Sequence, residues 1–300
     1  MELRHLRYFV TVAKTLSFSE ASRQLFITQG TLSQQIQQLE AEIGAQLFDR
    51  TRHSVTLTEA GDELLPLAIR TIEDSEACSN RMRELKGALV GTLRIGVTYP
   101  FGELLAETVR KFIRKHPGVR LNIVSRTAPE LMEMLSGKEL DLVLAYQPSV
   151  ASEGIESEFL FKSTLSAVMR KDHPLASRKY LTMKDLEQYR TIIPSQSLQS
   201  RRVFDRYLGL DTGRLNVTVE INDPNLIMDI VQNSDMITVI SSLAAYYRTN
   251  LVAIPLEGGS YPMTGCVHRH REGYRKRSAD IFIEMLHDSA IVERICKGLG

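Results

Sequence analysis

Residues 17–50 read SFSEASRQLFITQGTLSQQIQQLEAEIGAQLFDR, and this stretch decides the fold of the N-terminal part of the chain. Ser17 and Glu20 have the spacing of a capping box, which predicts a helix that begins here and ends near Leu25. Thr28 can cap a second helix. Apolar residues recur in this second helix at a 4-3-4 spacing, so they share one face and must be buried. They are Leu32, Ile36, Leu39 and Ile43.

The opposite face of the second helix is made of small and amide-bearing side chains. It carries Gly30, Thr31, Ser33, Gln34 and Gln37. Such side chains hydrogen-bond base edges in the DNA major groove, and Gln is suited to adenine. Two short helices with a tight joint are typical of a helix-turn-helix, in which the second helix reads the groove. An amphipathic surface helix that is polar for solubility alone has the same periodicity, so the neighbouring segments must decide.

The segment before this stretch favours the helix-turn-helix. Residues 4–15 predict a helix with one buried face, which completes a three-helix core. The side chains expected in that core are Leu6, Phe9, Val10 and Ala13.

The segment after it predicts a small hairpin. Val55 and Leu57 alternate with Thr56, as in a short strand. The turn before this strand is basic, with Arg50, Arg52 and His53. A hairpin with a basic tip is a wing that can lie along a phosphate backbone. A solvated turn is the alternative, and the position directly behind a candidate reading helix favours the wing.

The composition is that of an ordinary globular protein. A length of 300 residues suggests about two domains. A hydrophobic content of 43% with 24% charged residues allows buried cores. The net charge of +1 means that any basic patch is local. No signal peptide is visible, because Arg4, Arg7 and Lys14 interrupt the first apolar run. No stretch approaches eighteen uncharged apolar residues, so no membrane span is expected. Cys78, Cys266 and Cys296 are far apart and in no metal-binding spacing, which fits a reducing cytoplasm.

A long helix is predicted from residue 59 to about residue 86, with Pro66 as an early bend. Its apolar residues form a roughly heptad-like stripe, which favours burial against a second copy of the same helix. The stripe contains Leu64, Ala68, Ile72, Cys78, Met82 and Leu85. Packing on its own domain is the alternative. Gly87 and Gly91 then bracket a hinge.

From residue 92 onwards, predicted strands alternate with predicted helices, which indicates an α/β architecture with a parallel sheet. The strands are 93–97, 119–124, 140–145, 191–193, 215–221, 236–240 and 263–268. The helices are 104–115, 129–135, 201–208, 224–232 and 279–286, the last being the final clear helix. Two such sheets joined by crossovers make a cleft, with ligand-facing loops at the carboxyl ends of the strands.

In this order of elements the chain closely resembles the LysR-type transcriptional regulators. The motifs that carry the resemblance are Ser17-Phe18, Leu25-x-x-Thr28-Gln29, Leu32-Ser33-x-x-Ile36-x-x-Leu39-Glu40, Gly44-x-x-Leu47-Phe48-x-Arg50 and Leu57-Thr58-x-Ala60-Gly61. The remainder matches in layout, for example at His173-Pro174-Leu175.

The resemblance implies an N-terminal all-α winged helix-turn-helix, a long linker helix, and a C-terminal α/β domain of two lobes similar to periplasmic binding proteins. The expected boundaries are 1–58 for the DNA-binding domain, 59–90 for the linker and hinge, and 91–300 for the effector-binding domain. Within the last, lobe I is expected at 91–161 and 266–300, and lobe II at 162–265.

The resemblance also implies a function. Members of this family are cytoplasmic bacterial regulators, not enzymes, that bind double-stranded promoter DNA as dimers of dimers. A small molecule in the cleft changes DNA bending and transcription. We therefore expect promoter DNA, a small-molecule effector, a second copy bound through the linker helix, and RNA polymerase if the protein is an activator. No cofactor, metal or membrane partner is expected.

Candidate site residues follow from the resemblance by position. The groove-facing and wing residues are Gln29, Gly30, Thr31, Ser33, Gln34, Gln37, Arg50, Arg52 and His53. The effector-contacting residues are Thr98, Tyr99, Pro100, Phe101, Thr127, Ser195, Gln196 and Ser197, with Tyr146 and Asp223 as weaker candidates. Hydroxyls beside helix N-termini can hold a carboxylate, which favours a small anionic metabolite. Each of these hydroxyls can instead be a helix cap or a turn residue.

The chain departs from many relatives in its reading helix, where they have arginines at the positions of Gln34, Gln37 and Gln38. Phosphate anchoring must then depend on the wing, with Arg4 and Arg23 as further candidates. In the second lobe, residues 232–235 read QNSD where the family commonly has a glycine pair.

A histidine- and arginine-rich run lies at residues 268–271. His268 and His270 would share a strand face, which makes a metal site conceivable. No third ligand lies at a suitable spacing, so a solvated loop before the last helix is the preferred interpretation. Cys266 and Cys296 are far apart, and thiol sensing of the kind used by peroxide-responsive relatives is not expected.

A solute-binding protein or an enzyme on a bilobed fold is the alternative function. A secreted binding protein begins with a signal peptide and does not need residues 1–86. The chain also lacks a G-x-S-x-G motif, a phosphate-binding loop and an H-E-x-x-H motif.

Overall fold

The computed structural model of the chain separates into two compact units, Met1–Ala88 and Leu89–Gly300. The residues that it describes are 1–51, 54–85, 89–148, 150, 152–208, 215–257, 261–271 and 275–298.

Unit 1 contains three helices, a two-stranded hairpin and a long fourth helix. They are α1 (Leu3–Thr15), α2 (Phe18–Gln24), α3 (Gln29–Ile43), β1 (Phe48–Arg50), β2 (Val55–Leu57) and α4 (Glu59–Leu85). The two predicted caps of the helix pair are confirmed. The Ser17 side chain accepts a hydrogen bond from the Glu20 amide, and the Thr28 side chain accepts one from the Thr31 amide.

The core of unit 1 is aromatic at its centre. The Phe48 ring, from the hairpin, lies 5.4 Å from the Phe9 ring and 5.7 Å from the Phe18 ring, so it joins the hairpin to α1 and α2. Leu32 and its two predicted partners, Ile36 and Leu39, are fully buried. The prediction was wrong for the fourth apolar residue, because Ile43 lies in the last turn of α3 and is 40% exposed.

The long helix α4 begins at a close contact with the hairpin. The Thr58 hydroxyl donates to the Gln46 carbonyl and accepts from the Gly61 amide, which fixes the first turn. Gly61 has no room for a side chain, because a Cβ there would overlap the Leu47 carbonyl and lie 2.8 Å from Leu57 Cδ2.

The apolar stripe of α4 divides into two parts. Ala68 is buried and Leu64 and Ile72 are partly buried in the core of unit 1 itself, so the prediction that these residues face a second copy was wrong. Further along the helix, Cys78 is exposed and Met82 is 56% exposed. The side chain of Leu85 lies outside the described residues.

Unit 2 begins with a strand, a short 3-10 turn and alternating helices and strands. Its first half contains β3 (Gly91–Val97), the 3-10 turn Tyr99–Phe101, α5 (Gly102–Lys115), β4 (Val119–Ser125), α6 (Ala128–Ser136), β5 (Leu142–Tyr146) and β6 (Ile155–Arg170). Next come α7 (Met183–Glu187), β7 (Arg190–Pro194), α8 (Gln199–Leu208), β8 (Asn216–Ile221), α9 (Pro224–Gln232), β9 (Ile237–Ser241) and α10 (Ser242–Tyr246). The chain ends with β10 (Leu251–Pro255), β11 (Pro262–His270), α11 (Arg277–His287) and α12 (Ala290–Gly298).

In the described part of unit 2, nine strands form one mixed sheet in the order β4-β3-β5-β11-β6-β9-β7-β8, with β10 also paired to β6. The outer strands are parallel, as predicted: β3 pairs with β4 and β5, and β7 pairs with β8 and β9. The middle is antiparallel, which was not predicted. There β6 pairs first with β11 and then with β9 and β10, so it belongs to both halves of the sheet.

Gly61→Ala should destabilise unit 1, because the added methyl group has no space between the Leu47 carbonyl and Leu57. We expect the free energy of unfolding to fall by about 1–3 kcal/mol, the usual cost of overpacking. Gly30→Ala is the matched control: its Cβ would meet only the Thr28 hydroxyl at 4.0 Å, and it should stabilise the helix by about 0.5–1 kcal/mol. Chemical denaturation measures both, and equal effects would contradict the steric account.

Candidate functional sites

The first part of α3 presents the predicted reading residues on one surface of unit 1. Gln29, Gly30, Thr31, Gln34 and Gln37 are exposed, and Ser33 is half-buried. The exposure follows from the burial of the opposite face, because Leu32, Ile36 and Leu39 fill the core and turn the other positions outwards.

Two of these side chains are held by neighbours. The Ser19 hydroxyl of α2 donates to the Gln29 Oε1 atom at 2.9 Å, so the Gln29 amide group is oriented with its NH₂ end available as a donor. The Thr31 hydroxyl lies 2.8 Å from the hydroxyl of its capping residue, Thr28.

Arg50 lies at the end of β1, and its side chain turns back towards the helices. Its guanidinium donates to the Ser33 hydroxyl at 3.0 Å and to the Glu40 carboxylate at 3.4 Å. It also lies over the Phe18 ring, 4.4 Å from the ring centre, at a cation–π distance. The side chain is 31% exposed. Arg50 is therefore bonded to two side chains of α3, those of Ser33 and Glu40. Arg52 and His53 lie outside the described residues.

A cavity of about 450 Å³ lies within unit 2, where the carboxyl ends of strands from both halves of the sheet meet. It is lined by five of the predicted effector residues, Thr98, Tyr99, Pro100, Thr127 and Ser197, and by the two weaker candidates, Tyr146 and Asp223. Three predicted residues are placed elsewhere. Phe101 is fully buried against the Tyr146 and Phe161 rings, and neither Ser195 nor Gln196 belongs to the lining.

Sequence reasoning missed other lining residues. They include Ser125, Arg126, Glu130, Gln199, Ser200, Asn222 and Asn225. The rule that ligands bind at the carboxyl ends of parallel strands would have found Ser125 and Asn222, because they lie at the ends of β4 and β8.

The charged groups of the cavity are two carboxylates and one guanidinium. Hydrogen bonds from the side chain and backbone of Thr127 lower the pKa of Glu130, so this carboxylate is ionised and caps α6. Asp223 caps α9 by accepting hydrogen bonds from the amides of Asn225 and Leu226. The Arg126 guanidinium is exposed and donates to the neighbouring Ser125 carbonyl at 3.1 Å.

A chain of buried hydroxyls connects the cavity with the middle of the sheet. The Tyr146 hydroxyl is bonded to Ser241 Oγ, which lies 2.9 Å from Ser163 Oγ, and Ser163 lies 3.1 Å from Ser242 Oγ. Burial raises the pKa of Tyr146 to about 12, so the phenol stays neutral and keeps its proton for this network. The network joins β5 and β6 to β9 and α10.

A second polar link crosses between the halves of the sheet at Tyr99. Its interaction with Arg248 raises the pKa of that guanidinium, and Arg248 is also paired with Asp229 at 2.8 Å. Tyr99 thus contacts the cavity on one side and an ion pair of the second half of the sheet on the other.

The sequence suggested a solvated loop for the His268–Arg271 run, and this was wrong. His268 and His270 belong to the strand β11. His268 is fully buried: its Nδ1 lies 2.8 Å from the Ser157 hydroxyl and its Nε2 lies 3.3 Å from the Ala145 carbonyl. A carbonyl only accepts, so Nε2 carries the proton and Nδ1 accepts from Ser157. Among the described residues, no group of three or more potential metal ligands occurs.

Two cysteine side chains, those of Cys78 and Cys266, belong to the part of the chain that the structure describes. Burial raises the pKa of the Cys266 thiol to about 11, which disfavours the reactive thiolate. Cys78 is exposed on α4, and the Cys296 side chain lies outside the described residues. The described helices include no candidate for a membrane-spanning segment.

Two family models match the chain. Residues 3–62 match a bacterial regulatory helix-turn-helix protein of the lysR family, and residues 86–290 match the LysR substrate binding domain. The first match lies within Met1–Ala88, and the second spans most of Leu89–Gly300.

Curated relatives and solved structures agree with these models. The uncharacterized HTH-type transcriptional regulator YnfL of Escherichia coli (strain K12) is 37% identical over 188 residues, covering 62% of this chain and 63% of that protein. The HTH-type transcriptional regulator BudR of Raoultella terrigena is 29% identical, covering 95% and 100%. Full-length CbnR, solved with its target DNA, has a similar fold: a TM-score of 0.68 at 20% identity, covering 97% of this chain and 100% of that chain.

Stability of unit 2 should fall as the pH is lowered through the range below about 6.5, the pKa of histidine in an unfolded chain. Burial lowers the pKa of His268 and also of His173 in the folded state. The unfolded chain therefore binds protons that the folded chain does not, and acid favours unfolding. His268→Gln should make the decline between pH 7.5 and 5.5 less steep in urea titrations. An unchanged slope would contradict the assignment of a neutral, buried His268.

Proposed function

This chain belongs to the LysR family of DNA-binding transcriptional regulators, and we propose that a small anionic metabolite in its cavity modulates its binding to promoter DNA. The observation that carries the proposal is a cavity at the carboxyl ends of the strands whose lining includes Ser197 and the exposed guanidinium of Arg126. The proposal assigns residues 1–58 to DNA reading, 59–90 to the linker and 91–300 to effector binding, with the two lobes bounded as expected from the sequence.

The proposed DNA interface uses amide and hydroxyl groups rather than charge. Gln34 and Gln37 reach base edges from the exposed face of α3, with Gln29 oriented by Ser19. Arg52 and His53 of the hairpin contact phosphates. Arg50 acts through Ser33, because its guanidinium is bonded to that hydroxyl.

The proposed assembly is a dimer formed through α4, and two dimers bind one promoter. Cys78 and Met82 are exposed along the C-terminal part of α4, which leaves this part of the apolar stripe for a second copy. If the protein activates transcription, RNA polymerase is a further partner.

The proposed effector carries a single negative charge. Glu130 and Asp223 already cap the helices α6 and α9, so they occupy the anion-binding ends of those helices. What remains for a ligand carboxylate is the exposed guanidinium of Arg126 together with the Ser197 hydroxyl, which can donate to a ligand while it accepts from Ser195. The Thr98 hydroxyl already donates to the Leu144 carbonyl. A second negative charge would lie close to Glu130 or Asp223 and would be repelled.

The proposed response runs through the two polar links of the cavity. A ligand that contacts Tyr146 or Tyr99 touches groups that are bonded to Ser241 and to Arg248, in the other half of the sheet. The ligand therefore makes different contacts when the two halves of the sheet are arranged differently. A ligand that binds one arrangement better than another shifts the protein towards that arrangement.

Gln34→Ala and Arg52→Ala should weaken DNA binding in different ways. Gln34→Ala removes a base contact, so the preference for the chain's selected binding site over scrambled DNA should fall by about 5- to 150-fold. Arg52→Ala removes a phosphate contact, so affinity should fall for both sequences alike and the salt dependence should become shallower. Fluorescence anisotropy on DNA selected from a random library measures both.

A matched control for lost charge is Arg70→Ala, which removes an exposed arginine of α4 that is paired with Asp74. It should leave the sequence preference and the salt slope unchanged. Equal selectivity in the wild type and Gln34→Ala would mean that α3 does not read bases through this residue.

Small monocarboxylates should raise the melting temperature of the full chain by several degrees at saturating concentration, as expected for a ligand that binds only the folded state. Arg126→Ala should abolish the shift. Arg120→Ala, at the other end of β4, is the control and should preserve it. Differential scanning fluorimetry with mono- and dicarboxylates of equal length tests the charge. A shift that survives Arg126→Ala, or a larger shift with dicarboxylates, would count against a single-charge site.

A further inference from the structure

Phe26 has the most exposed side chain among the large hydrophobic residues of the described part of the chain, at 94% exposure. It lies in the turn between α2 and α3, and its neighbours Leu25 and Ile27 pack against the core of unit 1. Because both neighbours point inwards, the Phe26 ring is held outwards. It therefore adds nothing to the core.

The backbone at Phe26 also opposes a bulky residue. Its φ is +55°, in the left-handed region that glycine and asparagine tolerate and other side chains rarely adopt. The turn imposes this conformation, because the Phe26 amide donates to the Arg23 carbonyl and the Ile27 amide donates to the Ser22 carbonyl. An exposed phenylalanine in a strained position is poor for stability, which points to a role outside folding.

The position of Phe26 relative to the reading helix suggests that role. It precedes the cap Thr28 by two residues and the first helical residue, Gln29, by three. In a helix-turn-helix, the N-terminal residues of the second helix contact base edges, while the first helix crosses the DNA backbone. The turn that joins them therefore lies at the edge of the major groove.

The major groove offers an aromatic side chain one apolar group, the C5 methyl of thymine, and phenylalanine is among the side chains that contact it. We propose that Phe26 packs against a thymine methyl beside the bases read by α3, which makes it a specificity-determining residue. This rests on the proposed placement of α3 in the major groove. The Ser19–Gln29 hydrogen bond supports it, because it leaves the Gln29 NH₂ group to donate to an acceptor on an adjacent base.

The test replaces thymine by deoxyuridine, which removes only the methyl group. On DNA selected by the full chain from a random library, each thymine of a half-site is replaced in turn. One replacement should weaken binding by the wild type about fourfold, the value of one buried methyl group. Phe26→Asn should bind the unmodified DNA more weakly and should no longer distinguish thymine from deoxyuridine at that position.

A stability measurement separates this role from a structural one. Phe26→Asn should raise the melting temperature by a few degrees, because asparagine tolerates the left-handed backbone. Leu16→Asn is the matched control: Leu16 has φ +48°, is 50% exposed, and lies at the other end of α2. It should give a similar rise in melting temperature with DNA affinity and thymine discrimination unchanged.

Three results would overturn the proposal. The wild type would bind all deoxyuridine-substituted sites as well as the unmodified site, or Phe26→Asn would keep the discrimination of the wild type. Alternatively, sedimentation would show that Phe26→Asn dissociates the oligomer while the discrimination persists, which would assign Phe26 to a contact between copies. A wild-type chain that selects no DNA at all would reject the proposed function, whereas selected binding without methyl dependence would reject Phe26 alone.

Discussion

The C-terminal unit depends on one strand, β6, which both halves of the sheet share. Its first part pairs with β11 and its last part with β9 and β10, so a single backbone runs from one half to the other. Ser163 lies where the partners change, is buried, and is bonded to Ser241 and Ser242 of the second half. Because a buried hydroxyl without a partner is costly, the two halves are held in a defined relation at this point. The shape of the cavity at the strand ends depends on how the two halves are held, because Tyr146 lines the cavity and is bonded to Ser241 of the second half.

In the N-terminal unit, the positive charge of Arg50 is bonded to other side chains of the protein. Arg50 lies in the hairpin, where the wing was expected, and its side chain is bonded to Ser33 and Glu40 above the Phe18 ring. An arginine held by a carboxylate and an aromatic face has part of its charge compensated within the protein, so it offers less to DNA than a solvent-exposed arginine. The bonds of Arg50 to Ser33 and Glu40 instead help to fix the position of α3 relative to the hairpin.

Local patterns in the sequence predicted the local structure well and the sheet pairing only in part. The caps at Ser17 and Thr28, the helix at 224–232 and the parallel outer strands all follow from periodicity and capping, which act over a few residues. The strand β6 was missed, because Ser163 and Ser166 are typical of loops until their buried partners are known. The His268 run was taken for a loop for the same reason: its pairing with β5 and β6 involves residues more than one hundred positions away. In the cavity, the resemblance named residues in the loops after β3, β4 and β7. It did not include Ser125, at the end of β4, or Asn222, directly after β8.

The charges of the cavity bear on the kind of anion that we propose it binds. A helix N-terminus attracts an anion because its amide groups are unpaired, and two such termini, those of α6 and α9, border the cavity. In this chain the Glu130 carboxylate accepts from the amide and hydroxyl of Thr127, and Asp223 accepts from the amides of Asn225 and Leu226. A carboxylate of the protein therefore already lies at each of these helix termini. The sequence suggested that hydroxyls beside helix ends hold a ligand carboxylate. This does not apply to Thr127, because its hydroxyl belongs to the cap of α6 and donates to Glu130. The positive charge that remains is on Arg126, whose guanidinium is exposed. One guanidinium can neutralise one carboxylate, and any second charge on the ligand meets two fixed carboxylates in a site of limited volume.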